Sequence, residues 1–366
     1  IRDRSYGEVQ GTLTSPFTVH DLHYESEGLQ LAIDSIAVRW GLLDLLDMRL
    51  RVPQLQLQNV GLQLGPSTTE PATEPLALPE LPLEIELQQV EVSGFTIVSE
   101  PGAQPLEIES IRAAALWDNK QLAVTDLVLR SAVADLDASA TLTFPTGLQA
   151  LAVTDPAARL SASVLSADAR YRLPLSSLAP FAGEARLQGE ISDLTVALTV
   201  QSPYGVELQG SVRDILSRWQ TDLHLQVSSA ELGAISGSWP ELVVGYAAQI
   251  TGNASELLIT GAGDATEVDQ GRYESSLQLV YSPQRLRVEN AAISRVGGEH
   301  PLRLHASGLL ELSGADPVIA VALDWQQLRW PLVDVPVIRS KQGTVTLSGS
   351  LAGDGTQLRA HLSVPN

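Results

Sequence analysis

Along most of the chain, apolar and polar residues alternate one by one, and at recurring points the alternation slips. In LAIDSIAV, Leu31 and Ile33 share one parity and Ile36 and Val38 the other, with Asp34 and Ser35 between them. The figure returns in IELQQVEV from Ile85, LEIESIRA from Leu106, LAVTDLVL from Leu122 and LRVENAAI from Leu286. Alternation marks a half-buried strand. A regular strand that passed through such a slip would turn its second half to the opposite face. Two local structures repair this. A β-bulge at the polar pair absorbs the additional residue, keeps both halves on one face and bends the strand. A tight turn at the pair would instead divide the segment into two short strands. Either one leaves a continuous apolar face.

Elsewhere the alternation is regular. DLTVALTVQ sets Leu194, Val196, Leu198 and Val200 against Thr195, Ala197, Thr199 and Gln201, and TDLHLQV sets Leu223, Leu225 and Val227 against His224 and Gln226. GTVTLSGSL and QLRAHLSV repeat the pattern near the C-terminal end. One greasy and one wet face are the mark of antiparallel sheets, because parallel sheets are covered on both sides. About twenty segments of this kind run through the chain, and helical periodicity is scarce. WGLLDLLDM (Trp40 to Met48) brings Leu42, Leu45 and Leu46 together at helical spacing and predicts a short cap at the sheet's end. LPLSSLAPF (Leu173 to Phe181) and VRDILSRW (Val212 to Trp219) predict two more caps, the latter with Ile215 and Leu216 turned inward. Residues 65–83, with five prolines and neither Lys nor Arg, read as an exposed loop that leaves one continuous sheet and rejoins it at Ile85. Loss of that loop would then cost little.

Composition narrows the function. With 43 acidic residues against 23 basic ones, the net charge of −20 repels phosphate backbones and anionic headgroup arrays. Nucleic acid is therefore not an expected partner. There are no cysteines, so disulfides and thiolate metal sites are excluded. No apolar run reaches the ~18–20 residues of a membrane-spanning helix. The chain starts at Ile1, with neither Met nor a signal peptide, which predicts a mature or excised piece of a longer protein.

Catalytic signatures are missing: there is no HExxH, phosphate-binding loop or dinucleotide fingerprint. His20 and His23 flank Asp21, but on an extended strand they face opposite ways and read as surface histidines. Asp135 and Asp137 share a strand face and read as a solvated edge, and Asn253-Ala254-Ser255 is a glycosylation sequon of a kind common by chance. Neither an enzyme nor a cofactor nor a metal site is expected. Aromatic residues form only 5% of the chain, too few for the girdles of an outer-membrane barrel or the stacking platforms of a carbohydrate-binding solenoid.

Two stretches carry a resemblance. One runs from GEVQGTLTSPFTVHDLHYESEGLQLAIDSIAVRWGLLDLL through LRVPQLQLQNVGLQL to LPELPLEIELQQVEV, and the other is LDWQQLRWPL followed by GTVTLSGSL. In that order, with LPLSSLAPFAGEARLQGEI between them, they resemble the N-terminal part of the TamB family within the AsmA-like group. The resemblance implies an all-β fold, an elongated curled antiparallel sheet or β-taco with an open apolar groove. It implies an N-terminal anchor in the inner membrane, a periplasmic body, phospholipid transport between the membranes and support of outer-membrane assembly. It also implies a TamA-like barrel partner in the outer membrane, docked through regions outside this chain.

The expectation is thus one continuous groove over residues 1–366 that takes phospholipid acyl chains. Its candidate lining is Leu31, Ile33, Ile36, Val38, Leu55, Leu57, Ile85, Leu87, Val124, Leu127, Leu194, Val196, Leu198, Val200, Leu223, Leu225, Leu277, Leu279, Val345 and Leu347. Two other readings stand beside it. The apolar face is the core between two packed sheets, or the sheet edge holds unfolded outer-membrane strands by β-augmentation, as a chaperone-like scaffold would.

Overall fold

Period-two patterning is realised as strands almost throughout. The computed structural model describes residues 3–12, 16–26, 29–64, 83–98, 105–118, 120–144, 160–174, 180–202, 204–231, 233, 242–267, 271–296, 302–312, 317–330, 338–352 and 355–365. The chain divides into two compact units, Ile1–Thr195 and Val196–Asn366.

The first unit holds β1 (Asp3–Ser5), β2 (Val9–Gln10), β3 (Phe17–Ser26), β4 (Leu29–Gly41), β5 (Arg49–Leu64) and β6 (Glu84–Val98). It continues with β7 (Leu106–Trp117), β8 (Gln121–Ser131), β9 (Asp135–Thr143), β10 (Val164–Leu173) and β11 (Phe181–Glu190). The unit boundary falls within β12 (Asp193–Ser202). The second unit holds β13 (Gly205–Arg213), β14 (Gln220–Glu231), β15 (Leu242–Asn253), β16 (Leu257–Glu267) and β17 (Gly271–Ser282). After these come β18 (Arg285–Val296), β19 (Arg303–Glu311), β20 (Val318–Trp330), β21 (Ile338–Ala352) and β22 (Gly355–Ser363). In each unit consecutive strands pair into an open curled sheet, antiparallel from β3 to β5, from β6 to β11 and from β13 to β22.

One pair departs from the antiparallel expectation. β5 and β6 run parallel, Arg49 opposite Glu84 and Gln63 opposite Val98. The end of β5 and the start of β6 therefore lie at opposite ends of the pair, about 50 Å apart at ~3.3 Å per residue. About twenty chain steps join Leu64 to Glu84, a reach of some 65–70 Å at most. Residues 65–82, which hold the expected loop, lie outside the described residues.

The slips in the pattern have two structural solutions. At Gln88-Gln89, at Thr125-Asp126 and at Glu289-Asn290 the register shifts, so these are β-bulges. A shift between Ile108 and Ser110 likewise makes Glu109 a bulged residue against β8. At Asp34-Ser35 the bulge and the turn both fail. Pairing runs without a shift from Ser26↔Leu29 to Phe17↔Val38 on one side and from Leu29↔Leu64 to Arg39↔Gln54 on the other. Here neighbouring strands break alternation together. Asp21 and Asn59, the residues opposite Asp34, take φ of 55° and 52°, and Gly94, beside Asn59 in the parallel pair, takes 70°. A left-handed residue interrupts the two-residue alternation without adding a residue, and Asp, Asn and Gly tolerate that region best. Asn59 Nδ2 donates to Asp34 Oδ2 at 2.9 Å, tying the seam across.

The caps are weaker than the sequence suggests. Leu42–Asp47 is a 3₁₀ helix, yet Leu43 and Leu46 are 80% and 83% exposed, so it does not seal the sheet. Ile215 and Leu216 lie exposed in a turn closed by Ser217 N–H to Asp214 O at 2.9 Å, and not inward on a helix. Of the third cap, residues 175–179 lie outside the described residues, and the flanking Leu173 and Phe181 belong to β10 and β11. Among the described residues no helix is long and apolar enough to cross a membrane.

Candidate functional site

Directly paired residues point to the same side of a sheet, so the registers show which side chains share a face. In the first unit one row reads Val19, Ile36, Leu57, Val92, Ile111, Leu129, Leu136 and Tyr171 across β3 to β10. The next reads Phe17, Val38, Leu55, Val90 and Ala113, and is taken up beyond the bulge by Leu127 and Ala138. On the other side of the seam run Leu22, Ile33, Val60, Phe95 and Ile108, then Tyr24, Leu31, Leu62 and Ile97. Ile85 pairs with Leu50 and Trp117, Leu87 with Val52 and Ala115, and Val124 with Ala115 and Ala140, all on the same face. Every one of these rows is apolar. The seam and the bulges have the same effect, returning the apolar side chains to one side.

The second unit repeats the arrangement with smaller residues. Leu208, Leu225, Ala248, Gly261, Leu277, Ala291, Ala306, Leu323 and Val345 form one row. Its neighbour holds Leu223, Ile250, Ile259, Leu279, Val288, Gly308, Val321 and Leu347. Tyr246 lies across Gly261 and Gly263, where an added Cβ would approach its ring within 3 Å. In β12, Leu194 is 3% exposed, Val196, Leu198 and Val200 are half-buried, and Thr195 and Gln201 are exposed.

Burial decides between an open face and a core. Of the candidate lining residues only Ile33 and Leu194 are buried, and all the others are half-buried. A second layer packed on such a face would take its leucines below a tenth exposed. One closed cluster does form, with Phe144 (3% exposed) held among Trp117, Leu122, Leu142 and Leu160 at the end of β7 to β9.

The opposite face is polar and paired. Arg49 meets Glu84 at 3.3 Å, Arg51 meets Glu86 at 3.0 Å, and Gln56 donates to Glu91 at 3.0 Å, a ladder that follows the parallel β5–β6 register. Hydrogen bonds from Gln88 and then Arg51 hold the Glu86 carboxyl below its usual range, and those from Gln56 and Gln89 do so for Glu91. On the apolar face burial pushes the Tyr171 and Tyr246 phenols up, and the Tyr246 hydroxyl has no hydrogen-bond partner. Apolar surroundings do both. His23 Nδ1 rests 3.2 Å from Asp21 O, and Asp137 pairs with Arg130 at 2.7 Å. Asn253 Oδ1 accepts the Ser255 and Glu256 amides within its turn. No cluster that could hold a metal occurs among the described residues.

Sequence parity missed several residues of this face. Val19, Leu22, Val60, Phe95, Ile111 and Leu129 complete its rows, and each sits in an alternating segment, so counting parity outward from Leu31 would have found them.

Residues 4–176 match the family model described as TamB, N-terminal domain. No curated protein and no solved structure matches the chain.

Proposed function

With residues 4–176 belonging to the TamB N-terminal domain family, we propose that this chain is the body of a periplasmic phospholipid conduit. Acyl chains lie on the apolar rows while headgroups stay in water at the open side. The protein takes no catalytic part in this reading. The observation that carries it is the combination of unbroken apolar rows with half-exposure of nearly every residue in them. Burying a CH₂ contributes about 0.8 kcal/mol, so ~8 methylenes of one acyl chain contribute ~6 kcal/mol before ordering costs. Rows of similar leucines and valines supply many near-equal sites, which lets a lipid slide without being trapped. Inner-membrane anchoring and a TamA-like outer-membrane partner, through parts outside this chain, belong to the same proposal.

A photo-crosslinker at Leu225, on the apolar face, and at its exposed neighbour Gln226 tests the reading in cells. Phospholipid captured from position 225 and not from 226 is the expected result. Capture of polypeptide at 225, with no lipid, overturns it in favour of a strand-holding scaffold.

A further inference from the structure

Two aromatic rings of the second unit lie over glycines in a single row of the apolar face. The row runs from Tyr246 and Gly263 through Ser275 and Ile293 to Trp325 and Gly343. At one end Trp325 covers Gly343, where an added Cβ would fall within 3 Å of the indole. Trp325 is 6% exposed, and its Nε1–H donates to Ser340 Oγ at 2.9 Å, which in turn donates to Gln342 O at 2.9 Å. That ring is packed and its polar atom is satisfied. At the other end Tyr246 reaches across Gly263 to Gly261, where an added Cβ would stand 2.5 Å from its hydroxyl oxygen. This hydroxyl is buried, with no hydrogen-bond partner among the described residues.

A buried hydroxyl without a partner has lost its hydrogen bonds to water and gained none in return. Trp325 would break a hydrogen bond by leaving Gly343. Tyr246 regains a partner for its hydroxyl as soon as its ring swings into water. The ring leaves behind a hollow floored by bare backbone at Gly261 and Gly263. Ala248 and Leu277 stand on either side of Gly261, and Ala248 is buried in a row whose other members are half-buried. The Ser275 hydroxyl beside the hollow is already engaged, donating to Gly263 O at 3.2 Å. An emptied hollow exposes apolar surface to water, so the ring stays in place until another apolar group takes over the cover.

We propose that Tyr246 is the movable cover of an acyl-chain subsite over Gly261 and Gly263, displaced when a phospholipid chain enters the hollow. The proposal rests on the lipid reading above and adds one place on the face that opens only against a chain. The acyl chain supplies the apolar cover that the ring gave, and the ring's departure returns the hydroxyl to water. Exchange of ring for chain therefore keeps the burial and removes the unpaired hydroxyl. Trp325 over Gly343 has the same shape of contact without that imbalance, and it stays in place.

The test measures binding of dioctanoylphosphatidylcholine to the full chain, with glycerophosphocholine, the same headgroup without acyl chains, as the control. Tyr246→Phe keeps the cover and removes its unpaired hydroxyl, so it is expected to weaken lipid binding about fivefold. Tyr246→Ala removes the cover and is expected to tighten binding. Changes in the same direction, or no change in either variant, overturn the cover. Fluorine NMR of 3-fluorotyrosine at position 246 reads the ring directly. Gly261 lies outside the left-handed region, and the atoms nearest its missing Cβ all belong to Tyr246, so Gly261→Ala pushes the ring out without lipid and marks the resonance of the displaced state. Lipid is expected to move the wild-type resonance to that position, and glycerophosphocholine to leave it unmoved. A resonance that stays in place while lipid binds overturns the cover and leaves the conduit reading standing, and movement with glycerophosphocholine alone overturns the acyl assignment. If the wild-type chain binds no lipid, the conduit reading fails first and the subsite with it.

Discussion

The two units present the same kind of face by different means. In the first, the row through Ile36, Leu57, Val92, Ile111 and Leu129 is built wholly of large side chains. In the second, the row through Leu225 and Leu277 is diluted by Ala248, Gly261, Ala291 and Ala306. The first unit includes a transverse seam of left-handed residues and a parallel strand pair, while the second is a run of antiparallel hairpins with bulges at Ser228-Ser229 and Glu289-Asn290. The difference teaches that apolar continuity is the constraint and backbone regularity is not. Wherever the alternation slips, some local device restores the face. The second unit's small residues leave room above the backbone, which Tyr246 partly fills. Along these two rows the first unit is therefore the more fully filled.

The connection between strands separates the units most sharply. Removing residues 67–77 would leave about nine steps between Leu64 and Glu84, roughly 30 Å of reach against the ~50 Å the parallel register demands. Loss of β5–β6 pairing should follow, lowering the melting temperature by about 10 °C or more, or abolishing cooperative unfolding. In the second unit, β14 and β15 are antiparallel with Glu231 opposite Val243, so the ends to be joined are adjacent. Removing residues 234–239 should shift melting by only a few degrees. An 11-residue deletion tolerated in the first unit would refute the parallel pairing itself.

Packing supplies the next contrast. Leu57 lies between Ile36 and Val92, whereas Leu277 lies between Gly261 and Ala291. Truncation removes more contacts where the neighbours are large. Leu57→Ala should cost about 2 kcal/mol and Leu277→Ala about 1 kcal/mol, read from urea midpoints. Equal costs would mean that the rows of the two units are equally filled.

The seam and the bulges should respond differently as well. Gly94 has φ of 70°, and a Cβ there would meet Asn59 Oδ1 at 2.7 Å. Gly94→Ala is expected to cost about 1–2 kcal/mol, while Asn59→Gly, which suits the same left-handed backbone, should change stability by only a few tenths. At the bulge, Glu289 is exposed and accepts a hydrogen bond from Gln278 at 2.6 Å. Glu289→Ala should therefore cost under about 0.5 kcal/mol. Unfolding in denaturant ranks all three.

Much of this was legible in the sequence because alternation is a local signal that burial enforces. Leu31, Ile33, Leu223 and Leu225 lie on the apolar face where parity puts them, and the polar pairs at Gln88, Thr125 and Glu289 are bulges. What parity cannot encode is a conformation shared by neighbouring strands. Asp34 reads like the bulged pairs, and only the unbroken register and the left-handed Asp21 and Asn59 beside it distinguish the seam. Strand direction was hidden for a related reason. A period of two is the same read either way, so β5 and β6 look antiparallel until pairing is known. Leu46 sits exposed because helical spacing implies burial only on an element long enough to have a buried side.

The smallest effect is electrostatic and belongs to the first unit. Glu86 accepts Gln88 Nε2 at 2.9 Å and Arg51 Nε at 3.0 Å, and its carboxyl is held below the ordinary value of 4.5. A folded-state value below the unfolded one means that the unfolded chain binds the proton more readily. The stabilisation is therefore fully present above the unfolded value and is lost as pH falls through the folded one. The group is half-buried and partly screened by solvent, so the loss should be small. Urea midpoints of the wild type should fall between pH 5 and pH 3, and Gln88→Leu should flatten part of that fall by lowering the midpoint slightly at pH 7 while meeting the wild type near pH 3. A Gln88→Leu profile parallel to the wild type down to pH 3 would show that the ladder only registers β5 against β6 and adds no measurable pH-dependent stability.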